Sequence, residues 1–283
     1  MALTCRECPW HELTSLHVGL GTVCLWTLEE ARDLRDLPPN LPLLPLGAGT
    51  NLLGSDRDGA HLLRLAPTPT LPLQEKGDLL TVPASLSLPR LASFCAQKGR
   101  AGLAPLSGIP GTLGGAIRMN AGAHGAAIGD FLEEWTGVSL ATGAPFRWTR
   151  SQGGFSYRHS PVPRDGIVLQ ATLRLAPGDP QAEQEAIRQE HQRRLAANPQ
   201  GPSAGSIFRN PPGDSAGRLL EAAGCKGLRR GPLVVSEKHA NWILNPTAQP
   251  ASAADALWLI REMQRRVPGL LPEVCLVDSL LPL

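Results

Sequence analysis

The sequence has no excess of charge of either sign, no long apolar run and neither of the common phosphate-loop signatures, and each lack removes a class of protein. Its 27 Lys and Arg stand against 25 Asp and Glu, a formal net charge of +2, and the arginines are scattered rather than stacked along one helix or arm. Such a chain has no field with which to gather a polyanion, so nucleic acid is not expected as a partner. No apolar stretch approaches the roughly 20 residues a helix needs to cross a bilayer. The opening MALTCRECPW also lacks the basic-then-apolar build of a secretory leader. A cytoplasmic protein with no membrane partner is the expectation. The Walker A pattern and GxGxxG are both absent, and there is no convincing internal repeat.

Cysteine is sparse, at six residues. Cys24, Cys95, Cys225 and Cys275 lie far apart among apolar or small neighbours, which reads as buried free thiols rather than a disulfide framework. Cys5, Cys8 and His11 imitate half a zinc site, but no second closely spaced pair completes four ligands, so no metal is expected. What the chain does have is size and apolar content. With 283 residues, 42% of them hydrophobic, it can bury a substantial core and should divide into two or three domains.

Thr27 and Glu30 stand at capping-box spacing, and Ala31, Leu34 and Leu37 share one helical face, which predicts a short amphipathic helix over 27–37. The apolar run from Leu41 to Leu46, then His61 to Leu65, Leu79 to Val82 and Ile167 to Leu175 read as strands. Leu88 to Lys98, stopped by Gly99, reads as a helix. Asp179 before Pro180 starts a polar helix to about Asn198. Asp214 can cap a second helix through Ala223, ended by Gly224. Ser252 with Asp255 caps a third, carrying Leu257, Ile260, Met263 and Val267 and ended by Pro268 and Gly269. Leu233 to Val235 and Trp242 to Leu244 are strands between them, so the C-terminal third is a small α/β unit.

Two glycine-rich loops carry the functional signal. Gly47, Ala48, Gly49, Thr50, Asn51, Leu52 and Leu53 follow a predicted strand, where small residues let backbone amides turn toward an anion such as a pyrophosphate. By itself this segment is more readily read as a plain turn. The second loop, Ser107-Gly108-Ile109-Pro110-Gly111-Thr112-Leu113-Gly114-Gly115-Ala116 and on through Asn120 to Gly125, is richer. So many glycines are entropically expensive in ordinary core, and close approach to a ligand or tight packing on a neighbouring strand would explain them.

The pair of loops resembles the FAD-binding fold of the vanillyl-alcohol-oxidase type, and SGIPGTLGGAIRMNAGAHG resembles the UDP-N-acetylenolpyruvoylglucosamine reductase (MurB) family, the likeness running from about residue 14 to 278. The resemblance implies an α+β chain: an FAD-binding fold of the vanillyl-alcohol-oxidase (PCMH) type in two subdomains, plus a small C-terminal α/β substrate-binding domain. It implies a division into 1–66 with 269–283, 67–196, and 197–268 for the UDP-sugar. Gly47 to Leu53, Ser107 to Thr112, Gly114, Gly115 and Asn120 would contact FAD. NADPH would reduce the FAD and then be replaced by UDP-N-acetylglucosamine enolpyruvate in the same cleft, on a monomeric chain.

Reduction of an enol ether that bears a carboxylate needs a hydride at the methylene carbon, stabilisation of the resulting enolate, and a proton for the neighbouring carbon. The resemblance supplies residues for these tasks. Phe155-Ser156-Tyr157-Arg158-His159-Ser160 is similar to the family motif F-x-Y-R-x-S, making Arg158 the charge stabiliser with Tyr157 beside the substrate. Gly205-Ser206-Ile207-Phe208-Arg209-Asn210-Pro211 is similar to G-S-x-F-x-N-P, making Ser206 the proton donor and Asn210 a contact of the UDP part. Leu271-Pro272-Glu273-Val274 is similar to E-P-E-V, so that Glu273 would help Arg158 hold the enolate. Lys226 and His239, the latter in the block Ser236 to Asn241, are implied nucleotide contacts. Without the resemblance Arg158 reads as a surface ion-pair residue, Ser206 as a turn or cap, and Glu273 as a solvated carboxylate.

The chain departs from the family at Ala104 (often glutamate), His124 (usually tyrosine), Pro83-Ala84-Ser85 (Gly-Ala-Gly) and Cys275 (commonly arginine). Its single tyrosine, Tyr157, belongs to the arginine motif, so the resemblance is to the shorter form without a tyrosine lid. Rival readings are an oxidase of the wider FAD fold and a flavin-free sugar-nucleotide binder.

Overall fold

The computed structural model describes residues 5–29, 31–37, 41–67 and 74–277. The chain forms two compact units: Met1–Cys5, Leu25–Gly47 and His61–Arg194 make the first, and Arg6–Cys24, Ala48–Ala60 and Leu195–Leu283 the second.

The first unit is built on a five-stranded antiparallel sheet in the order Pro145–Thr149, Leu132–Ser139, Gly166–Arg174, Leu79–Pro83, Gln74–Lys76. Strand Leu79–Pro83 shows why it forms: its residues alternate in burial, and Leu80 and Val82 enter the core while their neighbours do not. The helices Leu88–Gln97 and Leu113–Met119 supply Leu88, Leu91, Cys95, Leu113 and Ile117 to the same core, together with Trp135, Trp148, Ala171 and Leu173 from the sheet. Each fully buried large apolar side chain contributes roughly 1.5–3 kcal/mol, so this layer, rather than local propensity, holds the glycine-bearing Leu113–Met119 helix in shape. A satellite cluster of Leu28, Leu43, Leu63, Val138 and Ile167 includes residues of the parallel strands Leu43–Pro45 and Ala60–Leu65.

The second unit has a four-stranded antiparallel sheet in the order Ser203–Ser206, Trp242–Leu244, Leu233–Val235, Arg229–Arg230. Helices Ala216–Ala222 and Ala253–Arg266 add Ala216, Leu220, Ala256, Leu259, Ile260 and Met263 to its core. A short parallel pair joins Leu52–Leu53 to Cys275–Leu276.

The helices after Ser87, Asp179 and Ser252 form close to where the sequence places them. Three expectations change. Over 27–37, strand Thr22–Leu28 absorbs Thr27 and Leu28, with the Leu28 carbonyl accepting from the Ala66 N–H at 2.7 Å, and only a 3-10 helix, Ala31–Asp36, follows. Pairing to a neighbouring strand outweighs a weak helical pattern there, and Glu30, half of the expected capping box, lies outside the described residues. Helix Ala216–Ala222 is capped by Ser215, whose hydroxyl accepts from the Arg218 N–H, while Asp214 forms an ion pair with the Arg218 guanidinium. Finally, Cys24 is not a free thiol: it and Cys5 are disulfide-bonded, which removes Cys5 from any metal half-site. Cys8, Cys95 and Cys225 are buried and form no disulfide, and Cys275, also outside any disulfide, is only half-buried. Among the described residues no helix is long and apolar enough to cross a membrane, and no group of three potential metal ligands occurs.

Candidate active site

In the first unit, Pro45, Leu46, Gly47, Ala84, Ser85, Thr112, Gly114, Gly115, Arg118 and Gly166 to Val168 line, with Leu65, a cavity of about 80 Å³. Thr112 shapes it. Its hydroxyl caps the Leu113–Met119 helix by accepting from the Gly115 N–H at 3.2 Å, and a Cβ on Gly47 would approach that same oxygen to 3.2 Å. Gly114 is needed for another reason: its N–H donates to the Ala84 carbonyl at 2.8 Å, and an added Cβ would meet the Ala84 methyl at 3.2 Å. The result is a shelf of backbone with few projecting side chains, which fits part of a flavin nucleotide. It is smaller than the ~300–1,000 Å³ of a typical cofactor site, so by itself it has room for only a portion of such a ligand. Arg118, which sequence reasoning passed over, holds the Pro163 carbonyl at 3.2 Å and also the Gly166 carbonyl.

Several other residues of the second loop also make contacts within the chain. Ser107 is buried and donates to the Ala104 carbonyl at 2.7 Å, and Ile109 packs on the core. Gly108 lies under the aliphatic part of Arg194, with 3.0 Å between its would-be Cβ and Cδ, while Pro110 is exposed and Gly111 has φ +119°. Desolvation lowers the pKa of the half-buried Arg194 guanidinium from its ordinary value. His124, in the position where the family usually has tyrosine, pairs with Glu190 at 3.1 Å.

Arg158 sits at the tip of a tight turn in which Ser156 and His159 exchange backbone hydrogen bonds of 3.2 and 3.0 Å. Its φ is +54°, a left-handed conformation that side-chain-bearing residues rarely adopt. The turn is anchored behind by Phe155, edge-on to Trp148 at 5.0 Å, which in turn stacks on Trp135. In front, the Arg158 guanidinium lies over the Tyr157 ring, 5.0 Å from its centroid, and donates to the Gly122 carbonyl at 3.4 Å. Tyr157 is 55% exposed. Asn120 is buried and donates to the Ser156 carbonyl at 2.8 Å.

In the second unit Ser206 and Glu273, 67 positions apart in sequence, lie on adjoining backbone segments. Ser206 ends strand Ser203–Ser206, opposite Trp242. Beyond it the chain pairs with the C-terminal segment: the Ile207 carbonyl accepts from the Glu273 N–H at 2.8 Å, and the Arg209 N–H donates to the Leu271 carbonyl at 2.9 Å. The first glycine loop braces both. Asn51 Nδ2 donates to the Glu273 carbonyl at 3.1 Å, and the Asn51 carbonyl accepts from the Cys275 N–H at 3.0 Å. Leu52 and Leu53 form the parallel pair with Cys275 and Leu276, and Leu53 is buried in the core. Gly49 is forced by packing, since a Cβ there would come within 1.8 Å of the Leu13 carbonyl oxygen and φ is +66°. Ala48 is exposed and Thr50 half-buried.

Two further residues escaped the sequence reading. Ser15 donates to the Ser203 carbonyl at 2.6 Å and to the Gly49 carbonyl at 3.3 Å, tying the loop to the strand of Ser206; no motif marks it. Arg209 has its Nε buried without a hydrogen-bond partner, next to Asn210 in the G-S-x-F-x-N-P segment.

Asn210 Oδ1 accepts from the Ala216 N–H at 3.0 Å at the start of helix Ala216–Ala222. Lys226 is paired with Glu221. His239 packs so closely on Gly217 that a Cβ there would meet its Cε1 at 2.6 Å. Burial depresses its pKa below the ordinary imidazole value, and its Nδ1 faces the Asn241 N–H at 3.2 Å. Burial thus favours the neutral ring, and with Nδ1 accepting from Asn241 its proton would lie on Nε2, suited to donating one hydrogen bond rather than to countering phosphate charge.

A backbone shelf, a left-handed arginine turn, and a serine and a glutamate on adjoining backbone segments belong to an α+β fold. Residues 29–148 match the family described as an FAD binding domain, and residues 196–270 match "UDP-N-acetylenolpyruvoylglucosamine reductase, C-terminal domain". The UDP-N-acetylenolpyruvoylglucosamine reductase of Methylorubrum populi is 39% identical over 269 residues, covering 90% of this chain and 84% of that protein. That of Rubrobacter xylanophilus is 42% identical over 231 residues, 80% and 76% of the two chains. The crystal structure of the Thermus caldophilus enzyme (MurB) superposes with a TM-score of 0.86 at 34% identity, over 97% of this chain and 99% of that one. The fold is thus an FAD-binding fold of the vanillyl-alcohol-oxidase type with a C-terminal α/β domain. The chain belongs to the UDP-N-acetylenolpyruvoylglucosamine reductase family.

Proposed function

We propose that the protein carries out the NADPH-dependent, FAD-mediated reduction of UDP-N-acetylglucosamine enolpyruvate to UDP-N-acetylmuramate, a step toward peptidoglycan precursor. The observation that carries this reading is the pairing of the Ser206 and Glu273 segments, held by the Glu273 N–H to Ile207 carbonyl bond of 2.8 Å, in a chain of this family. The three-part functional division follows it: 1–66 with 269–283, and 67–196, serve the flavin, and 197–268 serves the UDP-sugar. Action as a monomer in the cytoplasm, in the short form without a tyrosine lid, is part of the same proposal.

When bound, FAD relays the two electrons of NADPH to the substrate. Gly47, Thr112, Gly114 and Gly115 would hold it against the backbone shelf, where side chains would obstruct approach. The protein's own task is charge and proton management. Arg158 is always cationic and would grip the substrate carboxylate, lowering the free energy of the enolate as charge builds there. Glu273 would fix that end of the substrate alongside it. Ser206, half-buried at a strand terminus, would give its proton to the carbon next to the carboxylate. Tyr157, Asn210 and Lys226 would contact substrate, and neutral His239 would offer Nε2–H to the nucleotide.

Purified protein should be yellow, bleach on addition of NADPH, and recover its colour with the enolpyruvyl sugar. Ser206→Ala should bleach normally and recover at least ~10²-fold more slowly, the size of effect typical of a general acid. Arg158→Ala and Glu273→Ala should also slow only the recovery. Equal damage to both half-reactions in Ser206→Ala would remove it from the proton-donor role, and a colourless protein that still binds UDP-sugar would favour a flavin-free binder.

A further inference from the structure

We propose that Asn120 is a positioning residue for Arg158, acting through the Ser156–His159 turn, and not a ligand of the flavin. The inference rests on Arg158 engaging the substrate carboxylate.

Asn120 is 7% exposed, and both ends of its amide are taken by protein backbone: Nδ2 donates to the Ser156 carbonyl at 2.8 Å and Oδ1 accepts from the Gly129 N–H at 3.1 Å. Its residue type is explained without a ligand. It ends the Leu113–Met119 helix with φ +41°, a left-handed position that asparagine tolerates better than other side-chain-bearing residues. The surroundings are shaped to it. A Cβ on Gly129 would come within 2.8 Å of Asn120 Oδ1 and 3.0 Å of the Phe155 ring, so a glycine there lets the amide and the turn's aromatic anchor approach together.

The turn needs such a clamp. Arg158 at φ +54° is a strained backbone on a bulky residue, and strain of this kind persists only where the surroundings over-determine it. Asn120 grips the carbonyl of the turn's first residue. Ser160 ties its far side to the same helix end by donating to the Arg118 carbonyl at 2.8 Å. The C-terminal end of the helix that begins at Thr112 thereby sets where the guanidinium stands, and the loop's two ends have different tasks: Thr112 shapes the shelf, and Asn120 aims the arginine.

Two substitutions separate the alternatives. Asn120→Gly keeps the left-handed backbone and removes both side-chain bonds. Asn120→Asp keeps the acceptor for Gly129 and loses the donor to Ser156. In the flavin-loaded enzyme, FAD affinity, the visible spectrum and the NADPH-driven bleaching rate should stay within about twofold of wild type, while recovery with the enolpyruvyl sugar should slow on the order of tenfold or more, as expected when a charge-stabilising group is misplaced. In an Arg158→Ala background, Asn120→Asp should produce no further slowing, because its effect passes through the arginine. Weakened FAD binding or a shifted flavin spectrum with normal recovery would overturn the inference, as would full additivity with Arg158→Ala. Normal recovery in Arg158→Ala alone would instead sink the role of the arginine itself. If Asn120→Gly does not fold, the Asn120→Asp cycle decides.

Discussion

At the scale of single residues, His239 shows how packing sets chemistry. Pressed onto Gly217 and half-buried, the imidazole is harder to protonate than the ordinary value of 6.5. The unfolded chain takes up this proton as the pH falls through about 6.5, whereas the folded protein does so only at lower pH, so stability declines across that window and levels off below the folded value. The slope is less than about 1.4 kcal/mol per pH unit, since the half-exposed ring is partly screened by solvent. Denaturation of wild type and His239→Gln between pH 7.5 and 5.5 should show a flatter dependence for the variant; parallel curves would mean that the ring titrates normally. Gly49 is a residue whose sequence reading and structural reason part company. It looked like a ligand-cradling glycine, but contact with the Leu13 carbonyl already requires it.

Among elements, strand Ser203–Ser206 is short, and its place depends on side chains from elsewhere. Asn241, 2% exposed, accepts from the Phe208 N–H at 2.9 Å and donates to the Phe208 carbonyl at 2.8 Å, while its own carbonyl takes the Ile207 N–H. Asn241→Ala would leave a buried backbone pair without partners and should destabilise the protein by roughly 2–3 kcal/mol. It should also slow the substrate half-reaction by shifting Ser206. A chemical-denaturation loss under about 0.5 kcal/mol would show that water satisfies Phe208 instead. Helices with clear caps and a periodic apolar face, such as Ala253–Arg266 behind Ser252, were legible in the sequence. Helix Leu113–Met119 was not, because LGGAIRM carries two glycines; it forms because Thr112 caps it and Leu113 and Ile117 enter the core. Strand Leu132–Ser139 escaped notice because Glu133, Glu134 and Gly137 interrupt its apolar alternation, and its two neighbours in the sheet hold it in place.

For the molecule as a whole, burial decides which cysteines can react. Desolvation pushes the Cys95 thiol up to about 12 and raises that of Cys225, so neither forms a thiolate near neutral pH. Both should resist a water-soluble alkylating reagent until the unit that encloses each unfolds. Mass spectrometry of a labelling time course would check this, and rapid modification of either thiol in the folded protein would contradict the packing. Glycine-rich loops and capping residues are legible in the chain alone because turn conformation is a local property, whereas the roles expected of Arg158, Ser206 and Glu273 came only from the resemblance of three short motifs to a known family. Tertiary structure alone decided that Cys24 is bonded, that the His239 ring is harder to protonate than a free imidazole, and that Asn51 and Asn120 hold the segments of Glu273 and Arg158. Those outcomes depend on which groups become neighbours across long stretches of sequence and how much water remains around them, and neither is encoded within any single segment.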